Sequence, residues 1–197
     1  SINPVINTTI VADTGVYVAC VHEGSNIKLY LDGTLDSNFA SVTLATMNTG
    51  SHDIMLGDAL PHTSGDQFAG YLDEIRISNT ARYTANFTPS TSAFTNDDNT
   101  YLLMHCDGAN DGTTFTDSAT GHPISVNGDA RVVAPKFGKG CYRNNGSGNG
   151  LAIRSGKEPW AEFDTGDFTV DAWVCLDNIG TNNPTFFTHR GGVNSGD

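Results

Sequence analysis

Along much of this chain apolar and polar residues alternate with a period of two, as in a β-strand with one buried face. The stretch that sets the pattern is residues 70–83, Gly70-Tyr71-Leu72-Asp73-Glu74-Ile75-Arg76-Ile77-Ser78-Asn79-Thr80-Ala81-Arg82-Tyr83, with its tail Phe87-Thr88-Pro89. Tyr71, Ile75 and Ile77 share one parity, and Leu72, Glu74, Arg76 and Ser78 take the other, which predicts one apolar face and one mostly polar face. Asp73 falls among the apolar positions, where a carboxylate is costly to bury unless a hydrogen-bond donor or a cation meets it.

Upstream, residues 16–21, a turn at Glu23-Gly24-Ser25-Asn26, and residues 27–31 closed by Asp32-Gly33 predict a hairpin. Residues 39–44 and 54–57 are shorter strand candidates. Residues 88–100, with Pro89, several Ser and Thr, and the acidic pair Asp97-Asp98, read as a linker, most narrowly over 91–100. Beyond it, residues 101–106, 124–126, 130–133 and 151–153 are strand-like. Residues 168–176 alternate cleanly, with Phe168, Val170, Ala172 and Val174 opposite Thr169, Asp171, Trp173 and Cys175; Phe186-Phe187 starts a further strand. No stretch longer than a turn or two carries a helical apolar period, so the chain reads as all-β.

Composition sharpens this picture. Among 197 residues there are 22 glycines, which suits many strands joined by tight turns. A net charge of −12 with only 10 Lys and Arg argues against contact along a nucleic-acid backbone. No apolar run approaches the roughly 18–20 residues of a membrane span. The chain opens on Ser1 without a signal-peptide pattern, which reads as a cut end. The four cysteines form no Cys-x-x-Cys pair and read as buried thiols suited to a reducing compartment, a Cys106–Cys141 bridge being the alternative.

Two sets of motifs carry a resemblance. Lys28-Leu29-Tyr30-Leu31-Asp32-Gly33-Thr34, Gly70 to Ser78, Ala81-Arg82-Tyr83 and Phe87-Thr88-Pro89 resemble the C-terminal half of a laminin-G-like jelly roll of the concanavalin A-like lectin/glucanase fold. Leu102-Leu103-Met104-His105-Cys106-Asp107-Gly108, Phe115-Thr116-Asp117-Ser118, Lys136-Phe137-Gly138-Lys139-Gly140 and residues 166–174 resemble the N-terminal half of the same module. The version ending in Ala81-Arg82-Tyr83-Thr84-Ala85-Asn86-Phe87-Thr88-Pro89 is most similar to modules of bacteriophage structural proteins. The resemblance implies a two-sheet antiparallel β-sandwich with C-terminal-half motifs (1–90) preceding N-terminal-half motifs (101–197). Half a sandwich leaves a whole sheet face uncovered. The halves are therefore expected to close on each other, within a chain or between copies. The alternative is a piece cut from a tandem array. The family pattern usually has Trp and His near Val16 and Val18, and Phe where Cys106 stands, so functions tied to those groups do not carry over.

The resemblance also implies a structural calcium where first and last strands meet, with Asp73 and Asp107 as its ligands and Glu74 and Asp117 as further oxygens. Against this, Asp73 accepts backbone N–H groups and Asp107-Gly108 makes a turn. A sugar site needs an aromatic platform beside polar side chains; Trp160 is the best candidate, with Tyr83 and Tyr142 behind it, although Trp160 also suits the sandwich edge. Trp173 reads as core. No paired carboxylates on one strand face and no nucleophile motif point to catalysis. The expectation is a non-catalytic, lectin-like module on a virion surface or tail fibre, partnered by other virion proteins, copies of itself or host glycans. A carbohydrate-binding or adhesion module of a secreted bacterial protein, and a purely architectural domain, are the alternatives.

Overall fold

A computed structural model describes residues 6–41, 54–57, 68–133, 141–145, 150–153, 166–177 and 186–189. The strands are β1 (Gly15–Glu23), β2 (Asn26–Leu31), β3 (Thr34–Phe39), β4 (Ile54–Leu56), β5 (Ala69–Ser78) and β6 (Thr100–Met104), then β7 (Ile124–Asn127), β8 (Arg131–Val133), β9 (Cys141–Asn145), β10 (Gly150–Ile153), β11 (Phe168–Leu176) and β12 (Phe187–His189). Among the described residues there is no helix. One sheet runs β3-β2-β1-β11-β5-β9-β8, with β6 also paired to β5; the other runs β12-β4-β10-β7. All pairings are antiparallel. The fold is an all-β sandwich of the jelly-roll kind.

The order of strands places each half of the chain inside the other. β11 lies between β1 and β5, and β4 lies between β12 and β10. Val18, Leu72, Ile75, Ile77, Val170, Ala172 and Val174 from the large sheet meet Ile54, Leu56, Leu151 and Ile153 from the small one in a single core. β1 is apolar on both parities because both its faces are covered: Val18 faces this core, while Tyr17, Ala19 and Val21 join a second cluster on the outer face. The cover there is the segment between β5 and β6, which brings Tyr83, Phe87 and Phe94 onto Tyr17, Tyr30 and Trp173. Trp173 thus packs in the outer cluster rather than between the sheets. Residues 91–100, read as a linker, contribute buried Phe94 to this packing.

Both predicted turns of the first hairpins are present. Gly24, at φ 59°, opens the β1–β2 turn, and Asp32 (φ 47°) with Gly33 (φ 77°) makes the left-handed pair that a two-residue β2–β3 turn requires. The expected strand over 39–44 follows β3 and falls on residues 42–44 outside the described set. The parity of β5 is also corrected. A β-bulge at Glu74-Ile75, with Glu74 at φ 49°, shifts the register with β11 between Asp171 and Trp173. One extra residue flips the face of everything before it. Leu72 therefore joins Ile75 and Ile77 in the core, while Asp73 pairs with Trp173 on the outer side and Tyr71 with Cys175.

The chain before β1 is tied to the edge strand β3 by one carboxylate. Asp36 accepts the backbone N–H groups of Asn7 (2.7 Å) and Thr8 (2.8 Å) and the Ser37 hydroxyl (2.6 Å). Burial opposes ionisation of Asp36, but these donors outweigh it and hold the pKa at about 2. A depressed carboxyl pKa stabilises the fold above the ordinary range near 4 and loses that effect as pH falls through the folded value. Hydrogen exchange at the Asn7 and Thr8 amides is thus expected to accelerate, relative to β1 amides, between pH 4 and 2. In Asp36→Asn that pH-dependent difference disappears; its persistence would show that another group fastens the segment.

Candidate functional site

The bulge in β5 marks a change of neighbours. Residues 75–78 pair with β6, whereas residues 69–72 pair with β9, so Asp73 and Glu74 sit where one partner strand gives way to another. Asp73 is only 3% exposed, and its Oδ1 accepts the Glu74 N–H at 2.8 Å. Burial, followed by the charges of Glu74 and Asp107, pushes its pKa up to about 7 against that one hydrogen bond. Asp107 itself is exposed and follows Cys106, whose φ is 55°.

The other two expected oxygens are each engaged by donors of their own. The Glu74 carboxylate accepts the Phe94 N–H at 2.6 Å and pairs with His105 Nδ1 at 2.9 and 3.0 Å, so it fastens the covering segment and the end of β6. Asp117 is buried and engaged by donors: N–H groups of Leu103 (3.0 Å), Ala119 (2.9 Å), Thr120 (3.3 Å) and His122 (3.0 Å), the Thr120 hydroxyl and His122 Nδ1. Burial raises its pKa, but the hydrogen bonds prevail and lower it. Asp117 therefore anchors the loop after β6. Among the described residues no three His, Cys, Asp or Glu side chains are grouped to hold an ion.

The expected sugar platforms fare differently. Tyr142 is 0% exposed, sits edge-on to Phe115 and donates to Leu56 O at 3.4 Å, so it is core and offers no ring face to a ligand. Tyr83 is half-buried; one ring face stacks on Phe87, with centroids 3.6 Å apart. Trp160 lies outside the described residues.

What the sequence did not single out is a buried polar cluster on the outer face. Arg76 donates twice to Asp171, from Nη2 at 2.6 Å and Nε at 3.1 Å. The Tyr17 and Tyr83 hydroxyls also reach Asp171 Oδ2, at 2.5 and 2.9 Å, and the Arg76 guanidinium lies 4.0 Å from the centre of the Phe94 ring. Burial and the Asp171 charge raise both tyrosine pKa values, that of Tyr83 to about 12. The cluster joins β1, β5, β11 and the covering segment and is satisfied internally. Polar residues at matched parity on β5 and β11 were its only signal. Their pairing across 95 positions is not local information.

The described cysteines include thiols at Cys20, pushed up to about 12 by burial, and buried Cys175. Cys106 is buried with Sγ 3.8 Å from Met104 O, and the Cys141 side chain lies outside the described residues.

A cleft of about 400 Å³ lies between residues 8–14 and the β2–β3 turn. Its walls include Ile10, Val16 and Leu31, together with Val11 (62% exposed) and Leu35 (42%). Its two carboxylates are held by main-chain donors: Asp32 accepts the Tyr17 N–H at 2.9 Å, and Asp36 is engaged as above.

Residues 4–87 match the laminin-G-type family model of the concanavalin A-like lectin/glucanases superfamily. This match supports the jelly-roll family and fits a lectin-like module. No match was found among curated proteins or among solved structures.

Proposed function

We infer that this chain is a non-catalytic, lectin-like attachment module of a phage virion surface or tail fibre. It decorates the particle or holds host glycans weakly, with affinity multiplied by copy number. The observation that carries the reading is the state of the carboxylates. Glycoside hydrolysis requires one carboxyl kept protonated by a raised pKa and a second facing it across the substrate. Here the carboxyl with a raised pKa, Asp73 at about 7, is 3% exposed and does not line the open cleft, Asp36 on that cleft is pushed down to about 2, and Asp117 and Asp171 are buried and taken up by internal donors. Such residues build and brace a surface.

Calcium belongs to this reading through Asp73 and Asp107. A buried carboxylate that faces two like charges and answers one N–H has the chemistry of a hard-cation ligand. Glu74 and Asp117 are committed elsewhere, so the remaining oxygens of a calcium shell would come from main-chain carbonyls and water. If the ion binds, Asp73→Ala and chelation each lower the melting temperature to a similar extent and do not add. An unchanged melt in chelator removes calcium from the account.

One observation favours the architectural reading as second: Tyr142 and Tyr83 are spent on packing. A glycan array probed with a multivalent display of the chain, in calcium and then in chelator, separates the two. Selective binding supports attachment. Absence of binding by a folded sample in both conditions overturns it in favour of packing against neighbouring subunits.

A further inference from the structure

The strand order contains a reciprocal insertion that neither half of the chain needs for its own local pairing. The β1-β2-β3 meander and β5 with β6, all from residues 15–104, leave a one-strand slot between β1 and β5, filled by β11 from residues 168–176. In the other sheet, β4 of the first half fills the place between β12 and β10 of the second. Without the second half, β1 and β5 expose facing unpaired edges, and the core loses Val170, Ala172 and Val174. Unpaired edges of this kind are templates for another strand.

The slot also recognises its strand by charge. Arg76 at its floor takes Asp171, and Thr169 on the same face accepts the Arg82 N–H at 2.9 Å while donating to Thr80 O at 2.7 Å. These contacts involve only the β11 side chains and the slot. They are therefore the same whichever copy supplies β11, and the choice between copies depends on effective concentration.

We propose that copies of this chain join by exchanging halves: the second half of one copy, led by β11, closes on the first half of another. The partner is a second copy of the chain, and the recognition pair is Asp171 with Arg76. The inference rests on topology and is independent of the glycan reading. It makes the module its own connector wherever copies are crowded together.

The test uses two full-length variants that cannot pair internally but can pair with each other. Arg76→Asp sets a second carboxylate against Asp171 in its own chain, and Asp171→Arg sets a second guanidinium against Arg76. On exchange each slot receives an opposite charge. Each variant alone is expected to melt about 10 °C below the parent. The two refolded together at high concentration should give a 1:1 species of twice the mass, with most of that loss recovered. The chain carrying both substitutions is the monomeric control. A mixture that melts as the sum of its parts, with no double-mass species, overturns the proposal.

A second measurement covers the case in which the charge-reversed chains do not fold. Gly15 lies opposite Cys175 across β1 and β11. In Gly15→Cys, refolded and oxidised from a mixture of isotopically heavy and ordinary chains, exchange gives heavy–light linked peptides joining positions 15 and 175. Linked peptides that are only heavy–heavy or light–light at high protein concentration overturn it.

Discussion

Arg76→Ala and Asp171→Ala are each expected to destabilise the fold by about 3–5 kcal/mol, the cost of leaving one member of a buried pair without its partner. The Asp171 side chain is fully buried and that of Arg76 is 10% exposed, so solvent does little to screen the orphaned charge. In Asp171→Ala the Arg76 guanidinium and the hydroxyls of Tyr17 and Tyr83 lose their common acceptor. The double variant Arg76→Met/Asp171→Leu should recover much of the loss, because an apolar pair leaves no uncompensated charge. Urea unfolding of Arg76→Met, Asp171→Leu and the double variant reads this directly as a coupling energy. Additive losses would mean that the two groups do not act as a pair.

The second large effect is expected at Gly33. A Cβ there would collide with the Phe87 carbonyl oxygen, and the residue's φ of 77° costs an alanine about 1–2 kcal/mol before any contact is counted. The same glycine accepts the Phe87 N–H at 2.8 Å, so its backbone docks the segment that covers the outer face. Gly33→Ala therefore forces that segment away from Tyr17 and Tyr30. Undocking Phe87 alone forfeits about 1.5–3 kcal/mol of apolar burial. A loss of about 3 kcal/mol or more, with new protease cleavage within residues 79–99, is the expected result. A variant with wild-type stability and no new cleavage would show that the covering segment adds little to the fold.

These two sites show where the sequence is legible and where it is not. The hairpin at 16–31, its Asp32-Gly33 turn and the alternation of 168–176 are readable because strand period and turn chemistry are local. The bulge at Glu74-Ile75 is not, because a parity reading assumes an unbroken period. Such a reading puts Leu72 on the wrong face and Asp73 among apolar neighbours. Composition misleads at 88–100: Ser, Thr and Pro89 read as linker, yet Phe94 packs over Arg76. Of the candidate site, Asp73 stands out correctly as a buried carboxylate needing an answer. Glu74 and Asp117 read as ion ligands because their donors, the Phe94 N–H and the N–H groups of Leu103, Ala119 and His122, depend on how loops fold back. Tyr142 reads as an exposed ring because nothing within its own strand shows which neighbours cover it.

The placement of β11 between β1 and β5 is the claim on which the fold, the Arg76–Asp171 pair and the exchange all depend. The most direct test is a set of nuclear Overhauser contacts from Trp173. The structure predicts contacts to Tyr17 on one side and to Asp73 on the other, with slowly exchanging amides at Val170, Ala172 and Val174. Contacts to only one of these neighbours, or exchange in β11 as fast as in an unprotected peptide, would contradict it.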